Sequence, residues 1–303
     1  MPNTLAHIGI STPLTRLFIK PSDTKWILAG TILPDIPWIT QRILTRLFTG
    51  IDLYDLRIFS IIQATLFFSI LLSAALSFFS SNVFRTFSIL SFGSIIHLIS
   101  DALEIKWANG VHFLAPFDWT ITNFGLFWPE SIAVYSLTII GFIIFLFQLK
   151  DFKRGIQIKS PGKNLYIIIS FLTAYFALPF LFFNPVINAN NHYIKTLSDD
   201  ARSGQYIELD RSYFVNHEKG DYIRTFTDEK LYPDNIDLPL SGLISIKAKF
   251  VTNNLLRVQD YYLHDGKIRD KLSMAGLALV GLYWSILFVN GIRNRKTETL
   301  NKN

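Results

Sequence analysis

Five stretches of this chain are almost free of charge: residues 58–79, 87–100, 131–148, 166–187 and 274–290. A bilayer core about 30 Å thick needs roughly 20 apolar helical residues, and within it each backbone N–H and C=O must be satisfied inside its own segment. Four of the runs meet or nearly meet that length; the run at 87–100 reaches it only by including His97 and Asp101. Only 17% of the residues are charged, against about a quarter in an ordinary soluble domain, and the deficit is concentrated in these runs. Buried helices of a large soluble core are the competing explanation, and the lengths argue against it. The expected fold class is mainly α, a polytopic membrane helical bundle.

Two shorter apolar stretches precede the long ones. Residues 4–19 hold His7, Pro13 and Arg16, and residues 26–39 are broken at Pro34 and Pro37. Together they suggest a helical hairpin turning at residues 20–25. Residues 41–48 put Ile43, Leu44, Leu47 and Phe48 opposite Arg42 and Arg46, the pattern of an interfacial helix. The expectation is about seven crossings, the first two short. Lys/Arg bias in short loops sets orientation. The loop 149–163, with Lys150, Lys153, Arg154, Lys159 and Lys163, and the tail with Arg293, Arg295, Lys296 and Lys302, are expected on the cytoplasmic side. Lys20, Lys25 and Arg85 then fall inside, and 102–130 and 188–272 outside. Arg42, Arg46, Arg57 and Lys106 are exceptions on the outer side. The net charge of +6 therefore reports orientation rather than nucleic acid. There is no cysteine, so disulfides and thiolate metal sites are excluded. Met1 to His7 lack the basic and apolar regions of a cleavable signal peptide.

Residues 188–272 change character. YIELDRSYFV, DYIRTFT, LISIKAKFV and LLRVQDYYLHD alternate apolar and polar residues between turn-forming clusters, as strands of a small antiparallel sheet or barrel do. The strand count suits an OB-like barrel. No dense basic and aromatic strip accompanies it, and no nucleic-acid partner is expected. The expected organisation is a membrane helical core at 1–187, an extracytoplasmic β domain at 188–272, and a last transmembrane helix with a basic tail at 273–303.

Ionisable groups inside a span are costly and face a partner or a cavity. His97 and Asp101 are four apart and share one helical face. Such a pair can hold a metal ion, or it can be a hydrogen-bonded link between helices. In the expected topology His7 and Asp35 reach the same outer face, so four possible ligands from three segments converge there. Asp118 also faces outward and is a ligand, a partner of one, or a turn carboxylate. His112 and Glu130 are pocket candidates. Trp107, Trp119, Phe124, Phe127 and Trp128 fit an interfacial aromatic belt. His192, His217 and His264 have no ligand spacing and are expected on the surface.

MPNTLAHIG (1–9), GTILPDIPW (30–38), HLISD (97–101) and GVHFLAPFDW (110–119) together resemble the skeleton of the LexA-regulated inner-membrane metal-dependent hydrolases. The resemblance covers about residues 1–130. It implies a bacterial inner-membrane location and a divalent metal, zinc by the family's grouping with zinc phospholipase C and related zinc nucleases. His7, Asp35, His97 and Asp101 would be ligands. Many members carry a His-Arg-Gly-x-Thr-His-Ser stretch where this chain has residues 54–65, without either histidine; Asp55 and Gln63 stand nearby. The function implied is hydrolysis of a phosphoester or lipid-linked substrate at the outer face. The competing reading is a non-catalytic scaffold or transporter component with a structural His/Asp cluster and a partner-binding β domain.

Overall fold

A computed structural model describes residues 3–150, 162–190, 192–218 and 220–300, with side chains as far as Arg293. Lys153, Arg154, Lys159 and Lys302, used above for orientation, lie outside the described residues. The first helix, α1 (Thr4–Phe18), is capped by Asn3, whose Oδ1 accepts the Ala6 N–H at 3.1 Å. Next, α2 (Thr24–Ile32) runs through one 3₁₀ turn, Leu33–Asp35, into α3 (Ile36–Leu47). Pro34 and Pro37 sit at the starts of these turns, where their missing N–H leaves no intrahelical bond unmade. There follow α4 (Leu53–Gln63), α5 (Leu66–Ser77) and α6 (Val83–Leu103), then an irregular stretch and α7 (Ile132–Gln148). The chain continues through α8 (Leu165–Ala177), α9 (Phe183–Ala189) and the short α10 (Ile194–Ser198). The strands are β1 (Tyr206–Val215), β2 (Tyr222–Arg224), β3 (Lys230–Pro233), β4 (Gly242–Phe250) and β5 (Leu255–Leu263), and α11 (Ile268–Leu300) closes the chain.

Among the described residues three helical segments are long and apolar enough to cross a membrane: Val83–Leu103, Gly162–Ala189 and Ile268–Arg293. Counting α4 and α5 as one broken span makes four; they meet at a 70° bend. The expected seven crossings are not supported. At 1.5 Å per residue, α1 with 15 residues and α2 with 9 fall well short of a hydrocarbon core about 30 Å thick. Both are instead packed inside the bundle, with Ala6, His7, Ile8, Ile27 and Leu28 buried. At 17 residues α7 is also short of a full span.

Glycine sets how these short helices pack. A Cβ on Gly30 of α2 would stand 2.9 Å from the Leu90 backbone of α6, and one on Gly93 would stand 2.9 Å from the Gly30 carbonyl carbon. The α1–α7 crossing is tighter: a Cβ on Gly141 would stand 1.7 Å from the Leu5 carbonyl oxygen. Small residues that permit backbone contact are the usual means of joining helices where apolar burial supplies little drive. Polar links reinforce the α1–α7 contact: Asn3 Nδ2 donates to Thr138 Oγ1 at 2.7 Å, and Gln148 Nε2 to Thr12 Oγ1 at 3.2 Å.

The strands form a closed barrel in the order β1-β2-β3-β5-β4, antiparallel except for the β3–β5 pairing. Four of its strands coincide with the alternating segments of the sequence; β3 does not. A register shift between Leu209 and Ser212 lets β1 pair with β4 along its length and with β2 at its end. One cluster of buried apolar side chains runs from Ile27 and Leu90 in the bundle, through Tyr193 and Ile194, to Ile207, Phe214 and Ile246 in the barrel. The barrel is thus continuous with the helical core.

A group of barrel residues, with Asp101 and Lys106, surrounds one chamber, whereas Arg16, Lys25, Arg85 and Leu287 surround another at the opposite helix ends. The chain lacks cysteine, so single introduced thiols report sidedness cleanly. His217→Cys and Ser81→Cys, both at exposed positions, are expected to react with a membrane-impermeant maleimide from opposite faces of the membrane. Labelling of both from the same face would refute the arrangement.

Candidate metal centre

The last turns of α6 carry His97 and Asp101, both buried. Beyond that helix, the Phe124 and Leu126 N–H groups donate to the Ala102 and Leu103 carbonyls at 2.7 and 2.8 Å, so the irregular stretch satisfies a helix end that would otherwise be orphaned. The close α2–α6 crossing brings the Thr31 carbonyl within 2.7 Å of His97 Nδ1. A carbonyl only accepts, so Nδ1 carries the proton and the neutral ring presents a lone pair at Nε2. The His7 ring stacks on that of His97 with centroids 3.8 Å apart and planes inclined by 7°.

Three ligating side chains then face one another. His7 Nε2 lies 3.4 Å from Asp101 Oδ1, and His97 Nε2 lies 3.7 Å from Asp101 Oδ2. These three residues form a compact group suited to a metal ion. Asp35, placed by the 3₁₀ turn after α2, brings its Oδ1 to 3.6 Å from His97 Nε2 but lies outside the group of three. Ligand atoms on bonds of about 2.0–2.2 Å in a tetrahedron stand roughly 3.3–3.6 Å apart, close to the separations seen. Among the described residues, both nitrogens of His7, Nε2 of His97 and Oδ1 of Asp101 are buried without a hydrogen-bond partner. Buried polar atoms rarely stay unpaired, and a shared cation would satisfy Nε2 of His97 and Oδ1 of Asp101 together with one His7 nitrogen. The donor set and its spacing fit a divalent ion.

Of the sequence candidates, His7, Asp35, His97 and Asp101 are brought together. Asp118 is not: it is exposed, and its Oδ1 accepts from the Thr120 N–H at 2.8 Å and the Thr120 hydroxyl at 2.7 Å, as a turn carboxylate does. Asp55 is exposed, and the Gln63 amide donates to the Tyr175 carbonyl at 3.0 Å; neither is seen to replace a missing histidine. His112 is buried, its Nδ1 2.7 Å from the Trp119 carbonyl and its Nε2 3.4 Å from Asn190 Nδ2. Burial pushes its imidazole down, against the Trp119 carbonyl and Asp118, so the ring is neutral and already bonded. The aromatic belt is used in part for docking: Trp128 stacks on Tyr262 of β5 at 3.7 Å, and Trp119 packs on Phe182.

Lys106 was noted in the sequence only as a misplaced charge. It is buried, with Nζ 3.5 Å from Asp101 Oδ2. Beside it opens a chamber of about 320 Å³ between bundle and barrel, walled by Arg42, Arg57, Asp101, Lys106, Asp210 and Arg211 among others.

His264 corrects another expectation. It is buried, not on the surface, whereas His217 is exposed and His192 stands 3.7 Å from Glu208. His264 Nδ1 lies 3.1 Å from Glu130 Oε1 and its Nε2 lies 2.8 Å from Ser245 Oγ. The order Ser–His–Glu has the connectivity of a nucleophile triad. Ser245 is fully buried, however, and its oxygen already accepts from the Arg211 N–H at 3.0 Å and donates to Asp210 at 2.8 Å, which leaves no approach for a substrate. The group is a latch. Arg211, in left-handed backbone with φ 49° at the β1 irregularity, also pairs with Glu130 and with Asp270 of α11. No single-residue pattern in the sequence announces this network, because its members come from five separate segments.

Burial pushes the Glu130 carboxyl up, but the His264 hydrogen bond and the Arg211 guanidinium outweigh it and hold the group at about 2. The folded value lies below the unfolded one, so this stabilisation is present above the ordinary glutamate range and is lost as pH falls towards about 2. Glu130→Gln is expected to cost about 3 kcal/mol at pH 7, since it leaves the buried Arg211 guanidinium only the more distant Asp270 as a carboxylate partner. The variant should also lack this part of the wild-type loss of stability between about pH 4.5 and 2. Thermal unfolding in detergent across pH checks both; an unchanged midpoint at pH 7 would show that the latch holds nothing.

No family model, no curated protein and no solved structure matches this chain.

Proposed function

We propose that this protein is a membrane-bound metal-dependent hydrolase of the LexA-regulated inner-membrane type, acting on a phosphoester or lipid-linked substrate at the outer face of a bacterial inner membrane. The observation that carries this reading is the set of unpaired ligand atoms on His7, His97 and Asp101 at metal-ligand spacing, beside a chamber that Asp101 itself lines. His7, His97 and Asp101 would hold the ion, with Asp35 in reach. A divalent ion bound there, zinc by preference for this donor set, supplies the Lewis acidity that activates water and polarises an ester oxygen. The chain's own groups prepare the site. The Thr31 carbonyl fixes the His97 tautomer, and Lys106 offsets part of the carboxylate charge. The barrel roofs the chamber, which limits water around the reacting groups. Its strand order and parallel β3–β5 pairing support an OB-like reading of that roof.

The second reading, a scaffold with a structural His/Asp cluster, draws on the same contacts: Asp101 is close to His7, His97 and Lys106 and could tie α1 to α6 without metal. Metal analysis of the detergent-purified protein separates the two. Stoichiometric divalent metal is expected, with most of it lost in His97→Ala and in Asp101→Ala and none lost in Asp118→Ala. Full metal retention by the His97→Ala, Asp101→Ala double variant would overturn the shared site. A metal-free wild type whose variants lose only stability would establish the structural reading.

A further inference from the structure

Three of the four cations that break the expected charge rule, Arg42, Arg57 and Lys106, line the same chamber. Its other walls are nearly self-neutralised. Lys106 stands against Asp101, Arg211 against Glu130 and Asp270, and Arg269 against Asp270. Asp210 accepts the Ser245 hydroxyl. Among the described residues no carboxylate stands at ion-pair distance from Arg42 or Arg57. The named groups leave one positive charge in excess, with Arg42 and Arg57 the cations that lack a carboxylate at ion-pair distance, and a partly desolvated cavity of that balance favours an anion.

Arg57 is built for the purpose. Its guanidinium carbon lies 4.7 Å from the Phe226 ring centre, 5.2 Å from that of Tyr193 and 5.7 Å from that of Trp38. The three rings come from the barrel, from the segment leading to α10 and from α3, so the cage exists only once barrel and bundle have closed together. Aromatic contact stabilises the cation through its faces and leaves its edge donors to bind. Arg57 Nε is buried without a hydrogen-bond partner. A planar fork of donors, ringed by three aromatic side chains and with its Nε unpaired among the described residues, matches two oxygens of a phosphate.

We infer that the chamber binds a phosphate group, with Arg57 as its specificity-determining contact and Arg42 and Lys106 flanking it. As a binding site this stands on the chamber alone; as the anchor of a substrate it rests on the hydrolase reading, because Asp101 opens into the same space.

The test uses the full-length protein in detergent, stripped of metal by a chelator so that phosphate cannot bind through an ion, and titrated with inorganic phosphate by calorimetry. Saturable binding is expected. It should weaken by about tenfold or more in Arg57→Met, the loss that charged hydrogen bonds predict, and stay unchanged in Arg46→Met, at an exposed position outside the chamber wall. Arg57→Lys, which keeps the charge but not the fork, should be intermediate, and it carries the test if Arg57→Met does not fold. Wild-type affinity in either Arg57 variant, or no phosphate binding by the wild type, would overturn the inference. Competition identifies the source: displacement at lower concentration by phosphatidate in mixed micelles assigns a lipid phosphate, and by glycerol phosphate a soluble ester. Failure of both to compete would also overturn it. Metal content, measured separately after reloading, should be unchanged in Arg57→Met. Wild type that takes up no metal on reloading, yet binds phosphate through Arg57, would uphold this site while sinking the hydrolase reading.

Discussion

Direct backbone contact between helices is the constraint on which the rest of this structure depends. At Gly30 and Gly93 the α2 and α6 backbones approach so closely that a methyl group on either would collide with main chain, and the same holds for α1 and α7 at Gly141. The Thr31 carbonyl can reach His97 only because of the first contact. The second seats α1, and with it His7, within a bundle where that helix is too short to span alone. A side chain can swing away from a clash, but main chain cannot do so without moving a whole helix. These glycines therefore fix helix positions more tightly than the surrounding apolar packing does.

The second organising fact is the cost of unpaired polar atoms away from water. Each such atom carries a penalty of about 1–3 kcal/mol, and several cluster on His7, His97 and Asp101. The bundle contains serines and threonines that bond to carbonyls of the preceding turn, such as Ser73, Ser100 and Thr138. Those groups solve the problem locally. The histidines and Asp101 do not, and their shared orientation is what makes them a group that could hold a metal ion.

The barrel is tied down by two different means. Apolar continuity with the bundle provides area, which holds without specifying one orientation. The Glu130, Arg211, His264 and Ser245 network, together with the stacked Trp128–Tyr262 pair, specifies the orientation. That orientation matters because the chamber wall is shared: Arg57 meets Phe226 of the barrel only when the two parts are in register. The latch, the aromatic cage and the chamber are one mechanical unit.

Long charge-free runs marked the three helices that are long and apolar enough to cross a membrane, because an apolar run is a local property that needs no partner to be recognised. Period-two alternation likewise marked β1, β4 and β5, and the four-residue spacing of His97 and Asp101 placed them on one helical face. The meeting of His7 and Asp35 with that pair was suggested only through a topology argument built on seven crossings; the structure brings these side chains together through the packing of α1 and α2 inside the bundle instead. Crossing number failed because apolar character alone does not distinguish a helix buried among helices, such as α1 or α2, from one facing lipid. Asp118, like Asp35, is an aspartate shortly after a proline in the sequence; only the tertiary structure shows its oxygen turned back on Thr120. His264 looked like a surface histidine because burial of a polar side chain depends on partners distant in the chain, here Glu130 and Ser245. The cations Arg42, Arg57 and Lys106 were visible as exceptions to a charge rule, but a list of exceptions has no geometry. Their common wall came into being when α3, α4 and the barrel packed around one space, a three-body arrangement that no periodicity in a linear chain encodes.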